Sequence, residues 1–206
     1  MPVSRKHFVK SFFLFIATWK SRNSFLSANG NTEKKPVSFK RVRPGDNGWP
    51  VEKEWILLNE KVNGRLIKLN NPFVTPAPDL FSKLKNPYYI GDTPELTQSM
   101  GWAGAWKSSP SIYAVAVESV EDVVSAVNFT RKYKLRLVVK GGGHSYLGGS
   151  NSADSLLIWT RKMNSIVVHD SFIPEGMGNN AAGMPAVTVG AGCIESWSPD
   201  GFTKLK

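Results

Sequence analysis

The pattern of apolar and polar positions predicts a strand, a helix and a second strand in succession. Residues 111–117 and 135–139 are short apolar runs, typical of strands buried in a parallel sheet. The helix between them begins after Ser119, which forms a capping-box-like pattern with Asp122, and it ends near Tyr133. Its buried stripe is predicted to consist of Val120, Val123, Val124, Ala126 and Val127. Such a unit favours parallel strands with a right-handed crossover.

Apolar runs on either side extend the predicted fold. Short strands are expected at 156–159, 166–168 and 186–189. A flexible loop is expected at 176–185. Upstream, a short amphipathic helix over 51–62 precedes a strand over 65–69, and the proline-rich stretch 70–94 is expected to be an irregular arm. The predicted fold class is therefore α+β or α/β: a βαβ unit plus short strands, with helices packed on the sheet.

An apolar strand runs directly into a glycine-rich turn in the stretch RLVVKGGGHSYLGG, residues 136–149. Gly141, Gly142 and Gly143 carry no Cβ and can take positive φ, so the backbone can turn sharply and bring its amides against a bulky anion. A pyrophosphate is the natural ligand for such a turn. The loop follows the carboxyl end of a strand, which is where open α/β sheets bind ligands.

Two familiar nucleotide loops do not fit this stretch. A Walker loop needs Lys and then Ser or Thr after its last glycine, but Gly149 and Ser150 follow Gly148 here. The fingerprint G-x-G-x-x-G places its last glycine where this chain has Tyr146. What remains is the motif GGGHS, in which His144 would face a ligand held by the loop. A structural turn with a surface histidine is the alternative.

The composition is that of an ordinary globular chain with unevenly placed charge. With 206 residues, 41% of them apolar, the chain can form one domain or somewhat more. The formal net charge of +10 suggests a nucleic acid or a membrane as partner, but most of the excess lies in residues 1–68. Elsewhere basic and aromatic residues do not interleave as in a nucleic-acid groove, so no nucleic-acid partner is expected.

The cysteine and histidine positions argue against disulfides and metal sites. Cys193 is the single cysteine, and His7, His144 and His169 are far apart in the sequence. No metal ligand is predicted.

The amino terminus has the outline of a signal peptide over residues 1–28. Basic residues, an apolar run and small residues follow one another, although Lys20 and Arg22 end the run early and no A-x-A site follows. The run is too short to span a membrane. Periplasmic or secreted localisation is expected, with a disordered basic tail in the cytoplasm as the alternative. After residue 28, a basic irregular arm with a short helix is expected over 29–100 and the ligand-binding domain over 101–206.

The order of these motifs resembles a known family of flavoproteins. The block from Tyr113 to Pro174 (YAVAVESVEDVV to VVHDSFIP, with GGGHS and DSLLIWTR inside it) and the later AVTVGAG are similar to the FAD-binding domain of the vanillyl-alcohol oxidase and p-cresol methylhydroxylase family, the PCMH-type domain. The likeness is strongest to the berberine-bridge-enzyme-like branch. It covers roughly residues 41–192, with upstream segments similar to bacterial members. It implies the first subdomain of a PCMH-type domain, an amino-terminal portion only.

The resemblance also implies roles for particular residues. Main-chain amides of Gly141, Gly142, Gly143, His144 and Ser145 would wrap the FAD pyrophosphate, and His144 would be bonded covalently to the dimethylbenzene edge of the flavin. Weaker candidates for cofactor contact are Tyr146, Gly148, Ser150, Gly190 and Gly192. Ser150 fits equally well as a turn hydroxyl, and the last two glycines fit equally well as a plain strand end.

The function implied is that of an FAD-dependent oxidase of an alcohol, sugar or related small molecule, with oxygen as electron acceptor. Family members usually carry a second covalent cysteine in a later glycine-rich segment, which this chain does not contain, and Cys193 lies in the wrong place to replace it. No catalytic base is identified. The alternative is a truncated, inactive remnant or a simple binding module.

Overall fold

The structure of the protein is a computed structural model that describes residues 40–101, 109–177, 181–198 and 201–205. The predicted signal peptide or basic tail, residues 1–28, lies outside the described residues. Residues 40–206 cluster into one compact unit. In the described part of the chain, no helix is long and apolar enough to cross a membrane.

Four strands form the central sheet, in the order β1-β2-β4-β3. They are β1 (Leu66–Lys68), β2 (Tyr113–Ala116), β3 (Arg136–Lys140) and β4 (Ser155–Trp159). β4 runs parallel to both of its neighbours, and β1 pairs with β2 in antiparallel orientation. The predicted strands on either side of the helix therefore run in the same direction but do not pair with each other. β4 lies between them because all five of its residues are buried, which suits a central strand.

The predicted helix between β2 and β3 is present as α4 (Val120–Tyr133). Ser119 caps it through the amide of Asp122, and Lys134 ends it in the left-handed conformation. The prediction that Val120 and Val124 belong to the buried stripe is wrong, because these side chains are 64% and 50% exposed. Ala126 is buried, and Val123 and Val127 pack partly buried against the main core.

A second helix, α1 (Glu52–Lys61), lies close to the predicted helix over 51–62. Its apolar residues Trp55 and Leu58, together with Val62, are buried in the same core cluster as the sheet residues Val115 and Ile158. The indole of Trp55 also stacks on Tyr113, with ring centroids 4.2 Å apart. One helix from each side of β2 in sequence therefore contributes to a single core with the sheet.

The stretch expected to be an irregular arm contains regular elements. Residues 70–94 contain α2 (Leu80–Lys83) and α3 (Pro87–Asp92), and a 3₁₀ turn over Gln98–Gly101 follows them. Pro87 is tolerated because it occupies the first helical turn of α3, and the Asn86 side chain accepts a hydrogen bond from the Tyr88 amide. These elements share a separate apolar cluster that consists of Leu80, Leu84, Ile90, Leu96 and Met100.

Two hairpins follow the central sheet. β5 (Ile166–Phe172) and β6 (Met184–Val189) pair in antiparallel orientation, and both are longer than predicted. Residues 178–180 of the predicted flexible loop lie outside the described residues. The tail, for which no element was predicted, contains the antiparallel pair β7 (Glu195–Ser198) and β8 (Gly201–Leu205).

Asp122 joins the start of α4 to the edge strand. Its carboxylate accepts hydrogen bonds from the amides of Glu118 and Ser119 and from the Arg65 guanidinium, whose Nη2 lies 2.6 and 2.7 Å from the two oxygens. Burial alone would raise the pKa of Asp122, but the hydrogen bonds from Glu118, Arg65 and Ser119 outweigh it and hold the pKa below its ordinary value. The ionised form therefore stabilises the fold.

Replacing Asp122 with Asn is expected to lower the free energy of unfolding by about 2 kcal/mol at neutral pH, because the ion pair and part of the cap are lost. Urea denaturation measures this. Since the pKa is lowered in the folded state, the advantage of the wild type should shrink as the pH falls below about 4. Glu121→Gln, an exposed change in the same turn, is the control. A difference that stays constant down to low pH would contradict the assignment.

Candidate functional site

The glycine-rich loop leaves the carboxyl end of β3 in a conformation that requires glycine at position 143. Gly143 has φ +77°, a conformation that side-chain-bearing residues rarely adopt. A Cβ there would also lie 2.7 Å from Cε of Lys140 and 3.3 Å from the carbonyl oxygen of Leu96. Backbone conformation and close packing beneath the loop therefore both select glycine.

The amides of this loop are available to a ligand. Among the described residues, no acceptor within hydrogen-bonding distance is found for the amides of Gly141, Gly142, Gly143, His144 or Ser145. The carbonyl side of the loop is anchored instead, because the Gly143 oxygen accepts a hydrogen bond of 2.8 Å from the Gln98 amide. Consecutive amides without protein acceptors are a suitable donor set for a pyrophosphate.

His144 lies on the exposed side of the loop. A Cβ on Gly142 would lie 3.1 to 3.3 Å from three atoms of the imidazole ring, so the ring packs closely over the backbone of the loop itself. The imidazole is thus accessible to a ligand that the amides hold.

The remaining loop candidates are less closely grouped. Tyr146 is 61% exposed. Gly148 has φ +70° and donates its amide to the Ser145 carbonyl over 3.2 Å, which closes a turn. Ser150 is half-buried in the turn that follows.

Gly190 and Gly192 pack against the segment that follows β4 and donate their amides to it. Their amides donate to the carbonyls of Ser165 and Met163 over 2.8 and 2.9 Å. Cβ atoms at these glycines would overlap the backbone of Met163 and Thr160, so both positions need glycine for packing. Ala191 between them has its carbonyl 3.0 Å from the Cβ position of Gly141. The end of this strand therefore packs next to Gly141, at the start of the loop.

Two paired strand ends hold the end of helix α3 beside the loop. Lys140 and Trp159 are register partners on β3 and β4. Nζ of Lys140 donates to the carbonyls of Ile90 and Thr93 over 2.9 and 2.5 Å, and Nε1 of Trp159 donates to the carbonyl of Gly91 over 3.1 Å. Three carbonyls around the end of the helix, those of Ile90, Gly91 and Thr93, are thus satisfied by side chains that come from the sheet.

Neighbouring contacts fix the same junction. Nε of Arg161 lies 2.6 Å from Oδ1 of Asp92, the last residue of α3. A Cβ on Gly91 would lie 3.5 Å from Cα of Gly142 and would overlap the side chain of Ile194. Gly91 of the helix therefore lies close to Gly142 of the loop, and Ile194 packs where a side chain at position 91 would be.

Residues 111–194 match a family model described as an FAD binding domain. This segment is an FAD-binding domain. The predictions of FAD as cofactor and of a mixed α/β fold are confirmed.

Proteins named as FAD-linked oxidoreductases are similar to this chain in sequence. The chain is 31% identical over 186 residues to FAD-linked oxidoreductase asqF of Emericella nidulans, an alignment that covers 75% of this chain and 32% of the relative. It is 29% identical over 181 residues to FAD-linked oxidoreductase penH of Penicillium thymicola, with 75% and 31% covered. The chain therefore spans about a third of the length of these curated relatives, 32% and 31%.

A solved structure agrees with the fold. The VAO-type flavoprotein MtVAO615 from Myceliophthora thermophila C1 superposes with a TM-score of 0.60 at 27% identity, over 75% of this chain and 32% of that one. The resemblance to vanillyl-alcohol-oxidase-type flavoproteins is thereby supported. The three relatives named here are fungal, whereas the upstream segments had suggested bacterial members.

The loop of the FAD-binding domain fits its cofactor by its own geometry. A dinucleotide pyrophosphate carries two negative charges and needs several donors at short range. The amides of residues 141–145 can supply them, since no acceptor for these amides is found in the part of the chain that the structure describes. The positions at which a side chain would intrude, Gly142 and Gly143, carry none. The residues present therefore suit FAD.

Sequence reasoning missed Lys140, which is 1% exposed. Burial lowers its pKa to about 7, and the nearby carboxylates of Glu95 and Asp92 oppose that shift. Alternation along β3 was the signal that could have identified it, because position 140 lies on the same face as buried Val138.

Asn151 was missed as well. It is buried at 4% exposure, and its amide nitrogen donates to the carbonyls of Pro94 and Glu95, each over 3.1 Å. Its side-chain oxygen accepts from the amide and the hydroxyl of Ser111. Asn151 thus ties the residues after α3 to the start of β2, and no local sequence pattern marks it.

Replacing Lys140 with Met should change how stability depends on pH in the absence of FAD. The pKa of Lys140 is about 7 in the folded protein and ordinarily near 10.4 in an unfolded chain, so the unfolded state binds one more proton between these values. The unfolding free energy of the wild type should therefore rise relative to the variant by up to about 1.4 kcal/mol per pH unit from pH 7 towards pH 10.

Urea denaturation at several pH values in that window measures this difference. Lys162→Met, at an exposed lysine near the same strand end, is the matched control and should follow the wild type. Parallel curves for wild type and Lys140→Met would show that the lysine titrates normally.

Proposed function

We propose that the loop of residues 141–145 binds the pyrophosphate of FAD through its main-chain amides. The observation that carries this proposal is the run of amides without a described protein acceptor, placed at the carboxyl end of β3. Tyr146, Gly148 and Ser150 would border this site, and Gly190 and Gly192 would support it from the side. Bound there, FAD would supply the redox chemistry, and the chain would supply orientation and electrostatics.

The whole protein would be an oxidoreductase that oxidises an alcohol, a sugar or a related small molecule, with oxygen as acceptor. The names of the relatives support a flavin-dependent oxidoreductase. They leave the substrate class and the acceptor open, so those two assignments rest on the family resemblance. No residue of the described chain is assigned as catalytic base.

The berberine-bridge-enzyme-like branch is proposed together with a covalent role for His144. Support comes from the exposed imidazole within the loop, which packs over Gly142 beside the amides proposed to hold the cofactor. The bond would join an imidazole nitrogen to a methyl carbon on the dimethylbenzene edge. The two hydrogens that leave, one from each partner, would reduce the flavin ring, and oxygen would reoxidise it.

The alternative, an inactive remnant or a simple binding module, is not favoured by the comparisons. The chain covers 32% of the length of the first relative, and the part of the proposed function that it carries is FAD binding. Weak binding with no turnover in this chain, and turnover in a longer form, would be consistent with the enzyme assignment.

The 206-residue chain is expected to bind FAD weakly, and Gly143→Ala should weaken the binding further by about tenfold, because a methyl group intrudes on Lys140 at a strained φ. Quenching of flavin fluorescence in a titration measures both affinities. Gly64→Ala is the matched control, since Gly64 has nearly the same φ, +78°, with no atom within 4 Å of the added Cβ. Submicromolar affinity, or protein that is yellow when isolated, would contradict weak binding. If the two variants weaken FAD binding equally, the loop is not part of the FAD site.

In a form of the protein that spans the length of the relatives, flavin should remain with the protein after acid precipitation. His144→Ala should release it to the supernatant while FAD still binds noncovalently, because the loop amides are unchanged. His169→Ala, at a histidine on β5, is the control and should keep the flavin attached. If the wild type loses all flavin to acid, or the His144 variant keeps an adduct, the covalent role is wrong.

A further inference from the structure

Lys140 is a fully buried lysine close to the candidate FAD loop. Lysine is almost never fully buried unless its ammonium group is paired, because desolvation of the charge is costly. Here Nζ is satisfied by two carbonyls, those of Ile90 and Thr93, and no described carboxylate forms an ion pair with it. An apolar residue would fill the same space without that cost, so the retained charge points to a role beyond packing.

The side chain of Lys140 physically links helix α3 to the loop. Its Cε lies 2.7 Å from the Cβ position of Gly143, and its Nζ reaches past this contact to the end of α3. The Gly143 carbonyl is held from the other side by the Gln98 amide. The side chain of Lys140 therefore packs close to Gly143, while its amine is held at the end of α3.

We propose that Lys140 is a positioning residue for the cofactor, which holds the loop through Gly143 and places a positive charge beneath the pyrophosphate. This role rests on the proposed function of the loop. Holding the loop and placing a charge near the pyrophosphate act together. The attraction between a cation and a bound anion is stronger in a buried site than in water, so a lysine held in place by packing binds the anion better. The carbonyls at the end of α3 also favour a cation there through the helix dipole.

Among the described residues, two carboxylates act on the charge of Lys140, and two further ionisable groups need to be considered in any pH effect. Asp92 at the end of α3 and Glu95 in the following turn both act to keep Lys140 protonated. Asp92 is itself paired with Arg161, which follows β4, and His144 lies above on the loop. A pH effect on FAD binding must therefore be separated from any contribution of the imidazole.

The binding of FAD should depend on pH in a direction that follows from this arrangement. Burial lowers the pKa of Lys140 to about 7 when no anion is bound, so the amine is increasingly neutral above that pH. A bound pyrophosphate favours the charged ammonium and raises the pKa, so binding takes up a proton. By linkage, the affinity should fall as the pH rises from about 7, by at most about tenfold per pH unit.

The test is a titration of the 206-residue chain with FAD from about pH 6 to about pH 9, for the wild type and variants of Lys140. The wild type should bind more weakly as the pH rises. Lys140→Met should bind about tenfold more weakly at low pH and show no such slope. Lys140→Arg, which keeps a charge that does not titrate, should regain affinity without regaining the slope.

Two controls assign the effect. Lys162→Met removes a nearby exposed charge and should preserve the slope, as should His144→Ala, which removes the imidazole. Calorimetry of the wild type in two buffers of different ionisation enthalpy counts the protons taken up on binding near pH 8, and needs no variant. Uptake of a substantial fraction of a proton is expected, and no uptake would overturn the proposal even if the Lys140 variants fail to fold.

The outcomes separate this inference from the proposed function. If Gly143→Ala weakens binding but Lys140→Met binds like the wild type with the same slope, Lys140 is only structural and the positioning role is wrong. If neither variant changes FAD affinity, the loop is not the site and the proposed function fails with it.

Discussion

The end of α3 is held by hydrogen bonds from two side chains that face it from neighbouring strands. Lys140 and Trp159 close the last register pair of β3 and β4, and together they satisfy three carbonyls of the helix end. The glycine loop begins at the residue after Lys140. The hydrogen bonds from Lys140 to the end of α3 therefore place this helix next to the start of the loop. Helix α3, which comes well before the loop in the sequence, therefore lies directly next to the candidate cofactor site.

Local patterns predicted the elements that local interactions determine. The helix α4 follows from Ser119, Asp122 and the apolar repeat, since a cap and its partner lie within one turn. The strand that leads into the glycines was predicted from its apolar run. The loop was predicted from three consecutive glycines, which can turn sharply because they carry no Cβ. FAD as the ligand came from the order of motifs and not from any single residue.

Contacts between distant residues were beyond reach of the same reasoning. The position of β4 between β2 and β3 depends on which strand is buried on both faces, and a short apolar run does not state this. The exposure of Val120 and Val124 depends on which side of α4 faces the sheet. Lys140 was overlooked because a lysine at a strand end is ordinarily solvated, and its buried position depends on carbonyls some fifty residues earlier in the chain.

The strand order has a consequence for how the chain acquires its shape during synthesis. β2 and β3 both pair with β4, which comes after them in the sequence, so neither has its parallel partner when it first leaves the ribosome. Until residues 155–159 have emerged, two apolar strands and the unsupported glycine loop are exposed together. The cofactor loop is therefore completed by a late, long-range pairing, a step that is slow compared with local folding and open to competing association.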